Sequence, residues 1–275
     1  MSTSQAPIGS GFGAASTTTD VIRGIDLTGK VAIVTGGSAN LGKLFAESLA
    51  SDGANVVVHY NSPRRADEAQ GVVNDLKATG VEAIAHQGDL TSNSEIARLI
   101  DTTIDRFGRW DILVNTAGVI IRKPLAETTE EEFDNSFAIN ARAPFFLMAQ
   151  AFTKMADNGR IINLVTTQVA VTAATYSCYA GSKGPVEHFT KAFAKEVGGR
   201  GITVNCIAPG PQKTSFFYDA ETPETIAWLS GMSISGELGD PADVVPVMRF
   251  LAAPETRWVT AQTVYVNGGM ISPIN

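Results

Sequence analysis

The chain has 275 residues, 44% of them hydrophobic and 18% charged, with a formal net charge of −7. This suits a globular protein with a sizeable core, and the acidic balance gives no electrostatic footprint for nucleic acid or an anionic membrane. Two cysteines, Cys178 and Cys206, exclude a disulfide framework, no apolar run approaches a membrane span, and no metal site is expected.

The first 24 residues are rich in Ser, Thr, Gly and Ala, without charge before Asp20. They lack the apolar stretch of a secretory signal. They read as a flexible arm, or as a tail lying on a neighbour. From residue 25 to 275 there is no composition break and no repeat, so one domain is expected.

Strands and helices then alternate. Residues 31–35 (VAIVT) form a short apolar run and precede a helix-period stretch over 41–52. A second strand is expected over 55–60 (NVVVHY), followed by a helix over 64–79 closed by Gly80. A third strand spans 82–87 and a third helix 94–107. A strand at 112–115 leads to a long helix from about Glu130 to Met155. A strand at 160–166, a helix at 176–198 and a strand at 203–207 come next. Residues 212–239, rich in Pro, Gly, Ser and aromatics, read as a mobile lid. A helical stretch at 242–252 and a seventh strand at 263–266 end the series. Near-continuous Val/Ile/Leu strands alternating with helices predict an α/β fold, a doubly wound parallel seven-stranded sheet of Rossmann type flanked by helices.

Chemistry-bearing residues gather at the ends of these strands. Gly36 and Gly37 turn the chain after the first strand, and Ser38, Asn40 and Leu41 lead into the helix. Bare backbone at a helix N-terminus suits a pyrophosphate, although G-x-G-x-x-G is absent and a plain strand–helix turn is also consistent. After the third strand, Asp89 of GDLTS, beside Leu90, is a candidate for an adenine amino group or a helix cap. Asn115, Ala117 and Gly118 of LVNTAG permit close approach of a nucleotide at the fourth strand. In YSCYAGSK, Tyr179 and Lys183 share a helix face, and an ammonium near a phenol favours its ionisation and acid–base use. Thr166, thirteen residues before Tyr179, offers a hydroxyl to a substrate carbonyl.

Together TGGSANLG, GDLT, NTAG, Asn140 within FAINA, Thr166, Tyr179-x-x-x-Lys183, Pro209-Gly210 with Thr214, and VNGG at 266–269 resemble, in order, the short-chain dehydrogenase/reductase family over about residues 27–270. The resemblance implies a nicotinamide cofactor and usually a tetramer. By carry-over, Tyr179 protonates the carbonyl oxygen, Lys183 tunes it and holds the nicotinamide ribose, Thr166 replaces the usual serine, and Asn140 positions a relay water. Gly36, Ser38 and Leu41 lie by the pyrophosphate and adenosine ribose. Asp89 meets the adenine, Asn115 the adenosine side, and the stretch from Pro209 through Gly210 and Gln212 to Thr214 the carboxamide.

Three residues depart from the family pattern: Asn40 for a glycine, Thr166 for serine, and Gln212 for Ile or Val. Asn tolerates the left-handed φ that the glycine would take. After the second strand no acid appears until Asp67, whereas Asn61, Ser62, Arg64 and Arg65 do. This resembles NADP-preferring relatives, in which polar and basic groups receive the 2′-phosphate. The expected function is hydride transfer between NADP(H), rather than NAD(H), and a small carbonyl or alcohol substrate, in a cytoplasmic homotetramer. The alternatives are a 3-oxoacyl thioester reductase and a dinucleotide-binding sensor without catalysis.

Overall fold

A computed structural model describes residues 24–171 and 173–271. The expected N-terminal arm lies, but for Gly24, outside the described residues. Seven parallel strands form one sheet: β1 (Val31–Thr35), β2 (Asn55–Tyr60), β3 (Ala83–Gln87), β4 (Ile112–Asn115), β5 (Arg160–Leu164), β6 (Thr203–Pro209) and β7 (Thr263–Val266). Their order is β3-β2-β1-β4-β5-β6-β7. The order reverses between β1 and β4, where open α/β sheets leave a crevice for ligands.

Helices cover both faces, which is why the central strands are buried throughout. On one side α1 (Asn40–Ser51), α2 (Ala66–Ala78) and α9 (Val245–Ala252) bring Phe45, Leu49, Val72, Leu76, Met248 and Leu251 against the sheet. On the other, α3 (Asn93–Phe107), α5 (Ala143–Lys154) and α6 (Ser177–Val197) bring Ile96, Leu99, Leu147, Ala151, Phe193 and Val197. The Asp111 carboxylate accepts from the Val31 N–H at 3.0 Å and from Arg109 at 2.7 Å, joining β1 to the start of β4.

One expectation is corrected here, and the 212–239 stretch gains structural detail. The long helix of 130–155 is three pieces: α4 (Glu130–Phe137), a π turn over Ala138–Arg142, and α5. The π turn widens the i→i+4 ladder to i→i+5, which re-aims residues near Asn140. The stretch 212–239 is more ordered than weak periodicity suggests. It carries α7 (Ser215–Tyr218) and α8 (Pro223–Ser230), and Gln212 and Gly239 pair as a parallel bridge at its two ends.

Candidate active site

The loops after the strands enclose a cavity of about 540 Å³ at the crevice between β1 and β4. Its walls include Gly36, Ser38, Asn40, Leu41, Asn61, Asp89, Leu90, Ala117, Gly118, Thr166, Tyr179, Pro209, Gly210, Gln212 and Thr214. Most residues singled out in the sequence therefore meet in one place, from the ends of six strands and from helix α6.

The β1–α1 turn is shaped by backbone needs. Gly36 takes φ +65° and Asn40 φ +50°, the left-handed value expected of it. A Cβ on Gly42 would stand 2.2 Å from the Gly36 carbonyl, so only glycine lets α1 start this close to the turn. The N–H groups that open α1 face the cavity wall without a carboxylate in the first turn, which leaves the helix end free for an anion. The Asn40 side chain accepts from Ser215 Oγ at 3.2 Å, a bond from the turn to α7 of the 212–239 stretch.

At the outer end, the structure separates the residues offered for a 2′-phosphate. Asn61 and Arg65 line the cavity, whereas Ser62 and Arg64 do not. The cause is a 3₁₀ turn over Pro63–Arg65, in which the Ser62 hydroxyl caps the Arg64 N–H at 3.3 Å. Of the two arginines offered, Arg65 is the one on the cavity wall. Its ion pair with Glu68 spans 3.0 Å, with side chains 48% and 56% exposed, and so holds Arg65 weakly. Asp89 lines the cavity while its Oδ1 caps the Thr91 N–H at 2.9 Å, so it serves in the local turn as well.

Asn115 does not reach the cavity. Its amide is buried in the sheet and donates to Asn163 Oδ1 at 2.7 Å, which places it in a chain through Thr190 to Cys206. The expected contact with the adenosine side is replaced by an internal one. The Asn140 amide is likewise internal. Nδ2 donates to the Val119 carbonyl and to Ser182 Oγ, both at 2.9 Å, and Oδ1 accepts the Val119 N–H at 3.0 Å. Ser182 in turn donates to the Tyr179 carbonyl at 2.8 Å. Asn140 thus fastens the β4 loop to the turn of α6 that carries Tyr179.

At the inner end, Tyr179 and Thr166 are both buried and line the cavity. Burial pushes the Tyr179 phenol up to about 12, and the Thr166 hydroxyl pulls the other way. This corrects the expectation of a phenol lowered by Lys183. The Lys183 ammonium donates to the Leu164 carbonyl at 2.9 Å, and burial brings it down to about 8. Sequence spacing placed the two groups on one helix face but not the ammonium's hydrogen-bond partner.

The remaining wall was not legible in the sequence. Val119, Ile120, Gln168, Tyr176, Phe216, Phe217, Leu229 and Met270 make an apolar, partly aromatic chamber beside Tyr179. Glu221 fixes Tyr176 by accepting its hydroxyl, and Arg122 lies 3.2 Å from the same carboxylate. Gln212, the third departure from the family pattern, is buried. Its Nε2 donates to the Gly210 carbonyl at 3.2 Å, and it packs on Gly239, where a Cβ would stand 2.5 Å from Nε2. Among the described residues no group of His, Cys, Asp and Glu could hold a metal ion, and no helix is long and apolar enough to cross a membrane.

Comparison with known proteins adds to this geometry. A family model described as enoyl-(acyl carrier protein) reductase matches residues 36–271. The chain is 38% identical over 260 residues to the hydroxynaphthalene reductase-like protein Arp2 of Metarhizium brunneum, covering 90% of this chain and 96% of that one. A putative dehydrogenase from Burkholderia cenocepacia with bound NADP superposes with a TM-score of 0.88 at 38% identity, covering 92% of this chain and 97% of the other. The angucycline C-6 ketoreductase LanV with bound NADP superposes with a TM-score of 0.83 at 36% identity, covering 89% and 96%.

Proposed function

Because the chain belongs to the short-chain dehydrogenase/reductase family, we propose that it is an NADP(H)-dependent carbonyl reductase whose reaction centre is Tyr179 with Thr166. One observation carries the reading. A single cavity has a helix N-terminus and Arg65 at one end, and the buried Thr166 and Tyr179 at the other. The donor set fits the cofactor: bare backbone N–H groups at α1 for the pyrophosphate, Asn61 and Arg65 for the 2′-phosphate, and no acid at the end of β2.

When bound, NADPH supplies the hydride. The chain's residues then handle the oxygen and its proton. Thr166 donates a hydrogen bond to the carbonyl oxygen and so stabilises the charge that develops there. Tyr179 gives its phenolic proton to that oxygen, which becomes the alcohol. A phenol pushed up to about 12 is fully protonated at neutral pH, the state a proton donor needs. Lys183 stands one turn on and, when charged, favours the phenolate left behind. Asn140 keeps Val119 and the Tyr179 turn in register through Ser182. The 212–239 stretch acts as the lid.

The chamber of Val119, Ile120, Tyr176, Phe217 and Leu229 supports a substrate with an apolar, ring-bearing body. A small free ketone fits better than an acyl group on an acidic carrier protein. Asn135, on the cavity wall, also borders an open depression lined by Glu130, Glu131 and Asp134, which would repel such a carrier. The proposal includes a cytoplasmic homotetramer. Half-exposed Phe145 and Phe152 on α5 and the exposed Trp258 support burial against copies of the chain, and the free cysteines support a reducing compartment.

The test is a panel of aryl and alkyl ketones with NADPH and NADH, read by absorbance of the reduced cofactor. Tyr179→Phe should bind NADPH as the parent does and lose turnover by orders of magnitude. Near-normal turnover in that variant would refute the assignment.

A further inference from the structure

His59, at the end of β2, is 2% exposed and lines the cavity on its adenosine side. None of the roles above uses it. Its ring nitrogens face two different loops. Nε2 lies 2.9 Å from the Gly88 carbonyl, which can only accept, so Nε2 carries the hydrogen. Nδ1 then has a lone pair and accepts the Gly36 N–H at 3.4 Å, a long but directed bond. Only the neutral Nε2–H tautomer serves both contacts. Protonation at Nδ1 would set one N–H against another. Burial keeps the ring neutral by bringing it down to about 4. The His59 main chain adds a third tie, accepting the Gly37 N–H at 2.9 Å.

The two loops tied in this way both contribute to the cavity wall. One begins with Gly36, held at φ +65°, and leads into α1. The other continues from Gly88 into Asp89 and Leu90. With Gly36 and Gly37 both spent on His59, their N–H groups are not free for a phosphate. That work falls to the residues that open α1.

We propose that His59 is a positioning residue for the adenosine half of the cofactor, its Nε2–H tautomer bridging Gly36 and Gly88 and so setting the gap between the two loops. The inference rests on the reading of this cavity as the NADP(H) site. It concerns a residue that touches the loops rather than the reacting atoms.

The test measures binding of NADP⁺ and of adenosine 2′,5′-bisphosphate by calorimetry to the full chain and to His59→Leu, His59→Asn and His59→Gln. Amide hydrogen exchange of the 31–45 segment is followed without ligand. Loss of the bridge in His59→Leu should weaken both ligands about tenfold and speed exchange in the segment. In His59→Asn, Oδ1 stands where Nδ1 was and accepts from Gly36. The contact with Gly88 is lost, so affinity should fall between those of the parent and His59→Leu, whatever the change in Tm. His59→Gln keeps a donor for Gly88 but no acceptor for Gly36, so it should stay weak even if His59→Leu does not fold. Parental affinity in His59→Leu, His59→Asn or His59→Gln overturns the inference alone. A parent that binds neither ligand overturns the cofactor reading and this inference with it.

Discussion

Asn40 offers the sharpest test of how the cofactor turn works. It stands at φ +50°, directly before Leu41 and Gly42, and opens α1. A β-branched residue forced into that region is strained by about 1–3 kcal/mol. If the free loop relaxes and must be strained again on binding, Asn40→Val weakens NADP⁺ by about 5- to 150-fold. If the loop is held in both states, the same energy lowers Tm instead, by about 2–4 °C per kcal/mol. Asn40→Gly removes the strain entirely. It loses the 3.2 Å bond from Ser215 Oγ, an exposed contact that contributes about 0.5–1 kcal/mol at most. Affinity should therefore stay within about fivefold of the parent. Calorimetric titration of NADP⁺ and thermal melts on the parent and both variants give affinity and stability together. Equal combined losses in the two variants would refute the backbone argument, because both lack the amide and only valine is strained.

Arg65→Ala should reduce kcat/KM with NADPH about tenfold and leave NADH nearly unchanged, whereas Arg64→Ala should alter neither; identical profiles for the two would contradict the placement of Arg65 on the cavity. Thr166→Ser should stay within about threefold of parental kcat, and Thr166→Ala should lose about 100-fold, as loss of one donor to a developing oxyanion does; full activity in the alanine variant removes Thr166 from the reaction. His59 falls from 6.5 to about 4 in the fold, so between those values the unfolded chain binds the extra proton, and stability is present above the window and lost as pH falls through it, by up to about 3 kcal/mol. The groups acting on the ring are His86, Asp89 and Arg98, and His86 is lowered in the same sense. Urea melts of the parent and His59→Asn between pH 7 and 4.5 should show the flatter slope in the variant, and equal slopes would show that His59 does not carry the effect.

The sheet was legible because doubly buried strands leave near-continuous runs such as VAIVT and ITVNCIA, and because turns and helix periods separate them. Strands β1, β2, β4 and β7 match their expected residues, and the others differ by one or two at an end. The π turn at Ala138–Arg142 was not legible, since one extra residue in a single turn scarcely disturbs an amphipathic pattern. The choice of Arg65 over Arg64 depends on the 3₁₀ turn begun by Pro63, a rotation that composition does not encode. Gln168 and Tyr176, from the connection after β5, and Phe217, from α7, reach the same chamber, and only the fold brings them together. For Tyr179 and Lys183 the spacing gave the shared face, but the Leu164 carbonyl that holds the ammonium comes from β5.

The two ends of the cavity differ in how they are held, and this decides where each kind of change should appear. At the inner end, Tyr179, Lys183, Asn140 and Ser182 are buried, joined by short bonds between neutral groups or to backbone carbonyls. Such bonds are little affected by salt, and breaking one leaves a buried polar group without a partner. At the outer end, the proposed contact with the 2′-phosphate is Arg65, half-exposed and loosely paired with Glu68. An exposed charge of this kind is screened within about 8 Å at physiological ionic strength. Cofactor choice is therefore the adjustable part of the site, open to salt and to surface substitution, whereas the proton-donating centre is fixed by the core. His59 belongs with the fixed part although it stands at the adjustable end: it is buried, neutral and bonded to two backbones. Changes at His59 should alter affinity for NADP⁺ and NAD⁺ alike, and changes at Arg65 only the preference between them.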